Sequence, residues 1–235
     1  MMVDLGTASV RLVGVGIYPV KEAARLVGAN AITVSRWLRG YRFPTKWSGQ
    51  GQSPPLFHTE LPEVEGKLAI GFLDLIELLF IKAFRSEGVS LPTIRLAARK
   101  AAKKWKNDHP FCLKRFATDG RTIFATVADG LDKDQVLELT RSQLGFKSIL
   151  NPYLKNMDYS KLGVDRWWPL GKDKVVFLDP RIAFGKPVVT AHNVPTESIW
   201  DAVRVNRSLS EVAKWFDLPV SEVQAAVDFE MSRAA

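Results

Sequence analysis

The stretch YPVKEAARLVGANAITVSRWLRG, Tyr18 to Gly40, constrains this chain most. Val20, Ala23, Ala24 and Val27 recur at spacings of three and four, the period of one apolar helix face. Gly28 can end that helix at positive φ, and Asn30 can cap a second one from its side chain. In the second helix Val34, Trp37 and Leu38 form the inward stripe, while Ile32, Ser35, Arg36 and Arg39 share the opposite side. Two helices about a three-to-four-residue turn are a helix-turn-helix pattern, whose second helix can lie in the major groove of DNA. KWSGQGQSPP, Lys46 to Pro55, then reads as a loop or wing.

Charge supports a polyanionic partner for this part of the chain. Residues 1–120 hold 18 Lys and Arg against 10 Asp and Glu, and residues 121–235 hold 15 against 15, so the whole excess of +8 lies in the first half. Arg36 is the expected base reader, because a guanidinium can pair bidentately with guanine. Thr33, Ser35 and Arg39 are expected to reach bases or phosphates. Lys21, Arg42 and Lys46 are expected at phosphates, where they position the protein without reading sequence. Trp37 is expected to anchor the helix in the core. The competing reading is a helical pair with a solvated basic face.

Further along, a helix is expected from about Gly71 to Ser86, and Ser90 can cap the next one with Pro92 in its first turn. Leu91, Ile94, Ala98, Ala101 and Trp105 form its apolar side; Arg95, Arg99, Lys100, Lys103, Lys104 and Lys106 crowd the others. RFATDGRTIFATV places Asp119-Gly120 between two β-prone runs, the signal for a hairpin with a type I′ turn. A helix is expected near Lys133 to Gln143, then an aromatic connector ending in Trp167-Trp168-Pro169. The last part predicts two short strands, VVFLDP and GKPVV, and three helices starting near Pro195, Leu209 and Val220, the middle one with a capping box at Ser208 and Glu211. The expected domains are 1–150, a connector at 151–171, and 172–235.

SEVAKWFDLPVSEVQAAV has the outline of a second helix-turn-helix, but its last helix is expected to expose Glu222, Asp228 and Glu230 and has no cation before Arg233, which does not suit a phosphate-facing role. Val223, Ala226 and Val227 instead suit a core or a self-complementary dimer surface. Cys112 is the single cysteine, so neither an internal disulfide nor a multi-thiolate zinc site can form. His58, His109 and His192 lie in separate loop-like contexts without metal-ligand spacing, and GVGIYPV lacks the lysine of a phosphate loop. Asp179-Pro180 is expected to start a turn rather than serve as an acid or base. No catalytic residue, metal site or cofactor is expected. Asp4 and Arg11 interrupt the apolar start and LIELLFI is too short to span a bilayer, so no membrane partner and a cytoplasmic location are expected.

Two resemblances sharpen these expectations. Tyr18 to Gly40, with FLDLIELLFIKAFRSEGVSLPTIRLAARKA after it, resembles the N-terminal module of MerR-type regulators. That resemblance implies a winged motif reading operator DNA as a dimer, although no heptad-patterned helix follows to form the usual coil. Asp179-Pro180, Gly185-Lys186-Pro187-Val188-Val189, Val194-Pro195 and the Ser208 to Ala213 helix resemble a small family, long of unknown function, that is found in antitoxins of VapB type. Where that family usually has Gly-Thr-Arg, this chain has Ala191-His192-Asn193. Together the resemblances imply a mainly α protein: a MerR-like winged helix-turn-helix module with a β-hairpin, then a small helical module with two short strands. They imply a homodimeric, autorepressing antitoxin partnered by a PIN-type ribonuclease. Tyr153, Tyr159, Trp167 and Trp168 are then the expected partner anchors, and Val223, Ala226 and Val227 the dimer surface. The alternative is a transcription regulator with no toxin.

Overall fold

The structure, a computed structural model, describes residues 2–4, 9–11, 14–45, 49–63, 65–116, 119–120, 122–123, 150–161 and 163–233. The chain forms two compact units: Pro19–Leu154, and Met1–Tyr18 together with Lys155–Ala235. The N-terminal stretch is thus grouped with the C-terminal segment rather than with the helix-turn-helix.

The Pro19–Leu154 unit includes helices α1 (Val20–Val27), α2 (Ala31–Arg39), α3 (Phe72–Ser86) and α4 (Leu91–Trp105). Local chemistry sets their ends. Gly28 closes α1 at φ 68°, the Asn30 side chain accepts from Ile32 N–H, and Ser90 accepts from Thr93 N–H. Ala23, Ala24, Leu26 and Val27 of α1 and Val34, Trp37 and Leu38 of α2 are buried. Helix α3 is buried along most of its length, its acids Asp74 and Glu77 included, and turns Arg85 and Ser86 to solvent at its end. Around it Phe84, Trp105, Phe111 and Phe116 meet at ring-centroid distances of 4.6 to 6.2 Å. Glu77 sits inside this core: its Oε1 accepts from Phe111 N–H at 2.8 Å, and burial pushes its pKa well up.

Strands Tyr41–Thr45 and Gly49–Ser53 pair antiparallel, Tyr41 opposite Ser53 and Thr45 opposite Gly49, and form the wing expected after α2. Two expectations fail in this unit. Asp119, Gly120, Thr122 and Ile123 are helical, and Asp119 N–H donates to the Arg115 carbonyl, so Asp119-Gly120 is no hairpin turn. Phe116, Gly120 and Ile123 are buried at spacings of four and three, and that helical face overrides the local turn signal. Arg95 is not part of the solvated basic face but buried. Lys46 and the helix expected at 133–143 lie outside the described residues.

In the second unit Met2–Asp4 pairs with Ser9–Arg11, Met157–Tyr159 with Val164–Trp167, and Val176–Phe177 with Val188–Val189, all antiparallel. Helices α5 (Thr196–Asn206), α6 (Leu209–Phe216) and α7 (Val220–Ser232) follow, with Ser208 capping α6 through Glu211 N–H. Gly185 needs to be glycine: it lies at φ 83°, and a Cβ there would sit 2.3 Å from the Tyr18 hydroxyl. That hydroxyl donates to the Gly185 carbonyl at 2.6 Å, which fastens the N-terminal stretch to the segment before Val188. Asp179 is a structural carboxylate. It accepts from Arg181 Nε (2.8 Å) and Nη2 (2.6 Å) and from Arg166 Nη2 (3.2 Å). Burial pushes its pKa up, but the bonds from Arg181 and Arg166 hold it below the ordinary aspartate value.

The last helix differs from expectation in its acids. Asp228 is exposed, but Glu222 and Glu230 are buried. Glu222 accepts from Thr190 Oγ1 and Ala191 N–H, both at 2.9 Å, and Glu230 accepts from Thr196 Oγ1 at 2.5 Å. The Ala191-His192-Asn193 step is a turn in which His192 and Asn193 both take positive φ, closed by Val189 N–H on the Val194 carbonyl.

Candidate nucleic-acid interface

Helix α2 presents two faces of opposite character. Val34, Trp37 and Leu38 are at most 6% exposed and fix the helix, as expected of Trp37. Arg36 and Arg39 are exposed, and Thr33 and Ser35 half-buried. Arg36 lays its guanidinium over the Tyr41 ring, 5.6 Å from the centroid, at the first residue of the wing. This contact leaves a fixed cation beside the wing with its in-plane donors free to meet a planar acceptor. Lys21, at the start of α1, and Arg42, on the wing, are exposed and suited to phosphates.

Arg39 differs. Its Nη2 donates to the Gly66 carbonyl at 2.5 Å and lies 3.4 Å from Glu63 Oε1, so it is held by its own chain. An exposed pair of this kind contributes about 0–1 kcal/mol, so DNA could compete for the guanidinium.

The wing is held at its base by a residue the periodicity placed on the solvated side. Arg95 of α4, 9% exposed, donates from Nη2 to the Pro54 carbonyl (2.7 Å) and Ser53 Oγ (3.1 Å), and from Nε to the Pro55 carbonyl (3.3 Å). Burial and the neighbouring Arg99 lower its pKa somewhat, yet an arginine remains charged. Leu56 N–H donates to the Trp37 carbonyl at 2.9 Å, so the segment leaving the wing is also tied to α2. One turn on from Arg95, Arg99 is exposed, as are Lys100, Lys103, Lys104 and Lys106. The basic excess of the first half is therefore concentrated along α4 as well as on α2 and the wing.

Ile32, which the helical period places on the outward side, is 65% exposed on α2, and Phe43, which no sequence pattern singled out, is 39% exposed on the wing. An aliphatic side chain on that face suits a thymine methyl. The signal was present as an apolar residue outside the inward stripe.

The aromatics expected to meet a partner are unequally available. Trp167 is 4% exposed and bridges Leu178 through its backbone, and Tyr153 packs edge-on against Phe80 within its own unit. Trp168 is half-buried, with Nε1 donating to Asp158, and Tyr159 is half-buried with its hydroxyl on Met157 Sδ. Val223, Ala226 and Val227 are 0%, 0% and 6% exposed, filled in by packing within their own unit. They occupy the core, one of the two places their composition suits.

Helix, tight turn, second helix and antiparallel wing place the Pro19–Leu154 unit in the helix-turn-helix class. Residues 16–98 match the family described as "Putative DNA-binding HTH domain", and residues 176–229 match the family described as "Protein of unknown function (DUF433)". The chain is 26% identical over 225 residues to "Putative antitoxin VapB45" of Mycobacterium tuberculosis strain ATCC 25618/H37Rv, a match covering 91% of this chain and 93% of that one. Its fold resembles the crystal structure of Rv2018 from Mycobacterium tuberculosis, with a TM-score of 0.69 at 21% identity over 89% of this chain and 96% of that one. No helix among the described residues is long and apolar enough to cross a membrane.

Proposed function

We propose that this protein is a DNA-binding antitoxin that represses its own operon and neutralises a PIN-type ribonuclease. The near full-length similarity to "Putative antitoxin VapB45" carries the reading. The exposed cationic face of α2, the wing and α4 supplies the chemistry for the operator. Arg36 reads a base, with Thr33 and Ser35 beside it. Lys21, Arg42 and Lys46 contact phosphates, and Arg39 joins them once released from Glu63. The unit is MerR-like in this use: reading helix in the major groove, wing against the backbone. The active species is a homodimer with reading helices on half-sites about 34 Å apart or a multiple of that. Its surface lies outside Val223, Ala226 and Val227, which their own unit already covers. The toxin is met by a folded surface that includes the half-exposed Tyr159 and Trp168.

Two experiments test this reading. Fluorescence anisotropy on the chain's own promoter, titrated with salt, measures the operator interaction. A salt-dependent affinity at least 100-fold above that for random duplex is expected, and equal affinity for both overturns the operator claim. Co-expression with a nuclease from the neighbouring gene measures neutralisation. Restored growth supports the antitoxin; unrelieved toxicity leaves a plain DNA-binding regulator.

A further inference from the structure

Three side chains from separate stretches of the Pro19–Leu154 unit converge beneath the segment that leaves the wing. Glu60 belongs to that segment, Asp74 to the first turn of α3, and His109 to the connection after α4. One carboxylate oxygen from each acid and one ring nitrogen of His109 lie within 4.8 Å of one another. His109 Nε2 is 3.8 Å from Glu60 Oε1, and Nδ1 is 3.9 Å from Asp74 Oδ1. Both distances exceed a hydrogen bond, so the groups face one another without bonding directly.

The environment makes this gap consequential. Asp74 is 0% exposed. Its Oδ2 accepts from the N–H groups of Gly71 (2.8 Å) and Glu60 (3.0 Å), but its Oδ1 has no hydrogen-bond partner among the described residues. His109 is 8% exposed, and its Nδ1 likewise has no partner there. A buried polar atom without a partner costs about 1–3 kcal/mol, and here two such atoms point at each other. Two carboxyls and an imidazole are a donor set for a borderline divalent cation, which would also offset the repulsion between the acids.

We propose that Glu60, Asp74 and His109 hold a divalent transition-metal ion of the zinc class. Ligand atoms of a tetrahedral zinc site, each about 2.0–2.2 Å from the ion, lie about 3.4 Å apart, so the three groups need to draw in by roughly 1 Å or less. Access is open: Glu60 and His109 line a surface cleft of about 500 Å³, through which water can complete the coordination. Lys106 lines the same cleft and weakens the site by repulsion. The Cys112 thiol is engaged with the Leu73 carbonyl at 3.3 Å and is not a ligand. The bound ion cross-links the post-wing segment to α3 and to the chain beyond α4. The wing base is thereby held by metal at Glu60 as well as by Arg95 at Ser53 to Pro55. This inference is independent of what the protein represses or neutralises.

The full chain is stripped with EDTA, dialysed, and titrated with ZnCl₂ by calorimetry and thermal denaturation, with MgCl₂ as control. One saturable zinc site is expected, with a Tm rise of about 5 °C or more at a hundredfold excess over Kd and little response to magnesium. Glu60→Gln alters a side chain 27% exposed and should weaken zinc binding by about tenfold or more. X-ray absorption on the zinc-loaded wild-type protein should show a nitrogen and oxygen shell with one imidazole. No stoichiometric binding by the wild-type chain overturns the proposal. So does unchanged affinity in Glu60→Gln, or a shell containing sulfur or lacking histidine.

Discussion

Replacing Arg95 by methionine isolates what holds the wing. Methionine keeps most of the aliphatic stem packed against α4's neighbours and removes the guanidinium. Three hydrogen bonds go: 2.7 Å to the Pro54 carbonyl, 3.1 Å to Ser53 Oγ and 3.3 Å to the Pro55 carbonyl. Hydrogen bonds from a charged donor contribute about 1.5–3 kcal/mol each, and the longest counts for less. Against that loss stands the relieved cost of holding a charge in a site only 9% exposed. The balance is about 2–3 kcal/mol of destabilisation, or a Tm lower by roughly 4–12 °C for a chain of this size. Differential scanning calorimetry measures the first effect. Amide exchange measures the second, because Gly49–Ser53 should lose protection while α3 keeps it. Arg99→Met, one turn away and exposed, is the control and should shift stability by no more than about 0.5 kcal/mol. If Arg95→Met melts within about 1 °C of wild type and its wing exchanges no faster, Arg95 does not anchor the wing.

Three further outcomes are expected. Arg36→Ala should weaken operator binding by roughly 1–3 kcal/mol and lower Tm by no more than about 4 °C, the share of its contact with the Tyr41 ring; equal weakening on random DNA would show that Arg36 contacts phosphate rather than a base. Burial, then the charge of Asp74, raises the Glu60 pKa to about 7, so its stabilising contribution is full below about pH 4.5 and is lost as pH rises through 7. In chelator, Glu60→Gln should therefore gain stability relative to wild type between pH 5 and pH 8 and match it near pH 4; parallel pH profiles would contradict the shift. Gly185→Ala forces a Cβ onto the Tyr18 hydroxyl at positive φ and should cost about 1–3 kcal/mol, read from urea midpoints, while Tyr18→Phe combined with it should not add its full separate cost.

What could be read from the sequence is what the chain decides within a few residues of itself. Asn30, Ser90 and Ser208 cap helices because the N–H groups they meet are two or three residues away. The buried stripe of Val34, Trp37 and Leu38 follows from the period of the helix, and with it the outward face of Arg36. The chemistry that depends on neighbours distant in sequence was not legible. Arg95 looked like its solvated neighbours on α4, and only the wing base, about forty residues earlier, makes it a buried anchor. Glu222 and Glu230 looked like surface acids until Thr190, Ala191 and Thr196 came within reach. Asp119-Gly120 carried a sound local turn signal, yet burial of Phe116, Gly120 and Ile123 on one face outweighed it. His109 has no ligand spacing in sequence, and it meets Glu60 and Asp74 only because α3, α4 and the segment after the wing pack together. Helical period and capping act through covalent proximity, whereas burial and charge pairing act through space, and only the fold decides which distant groups share that space.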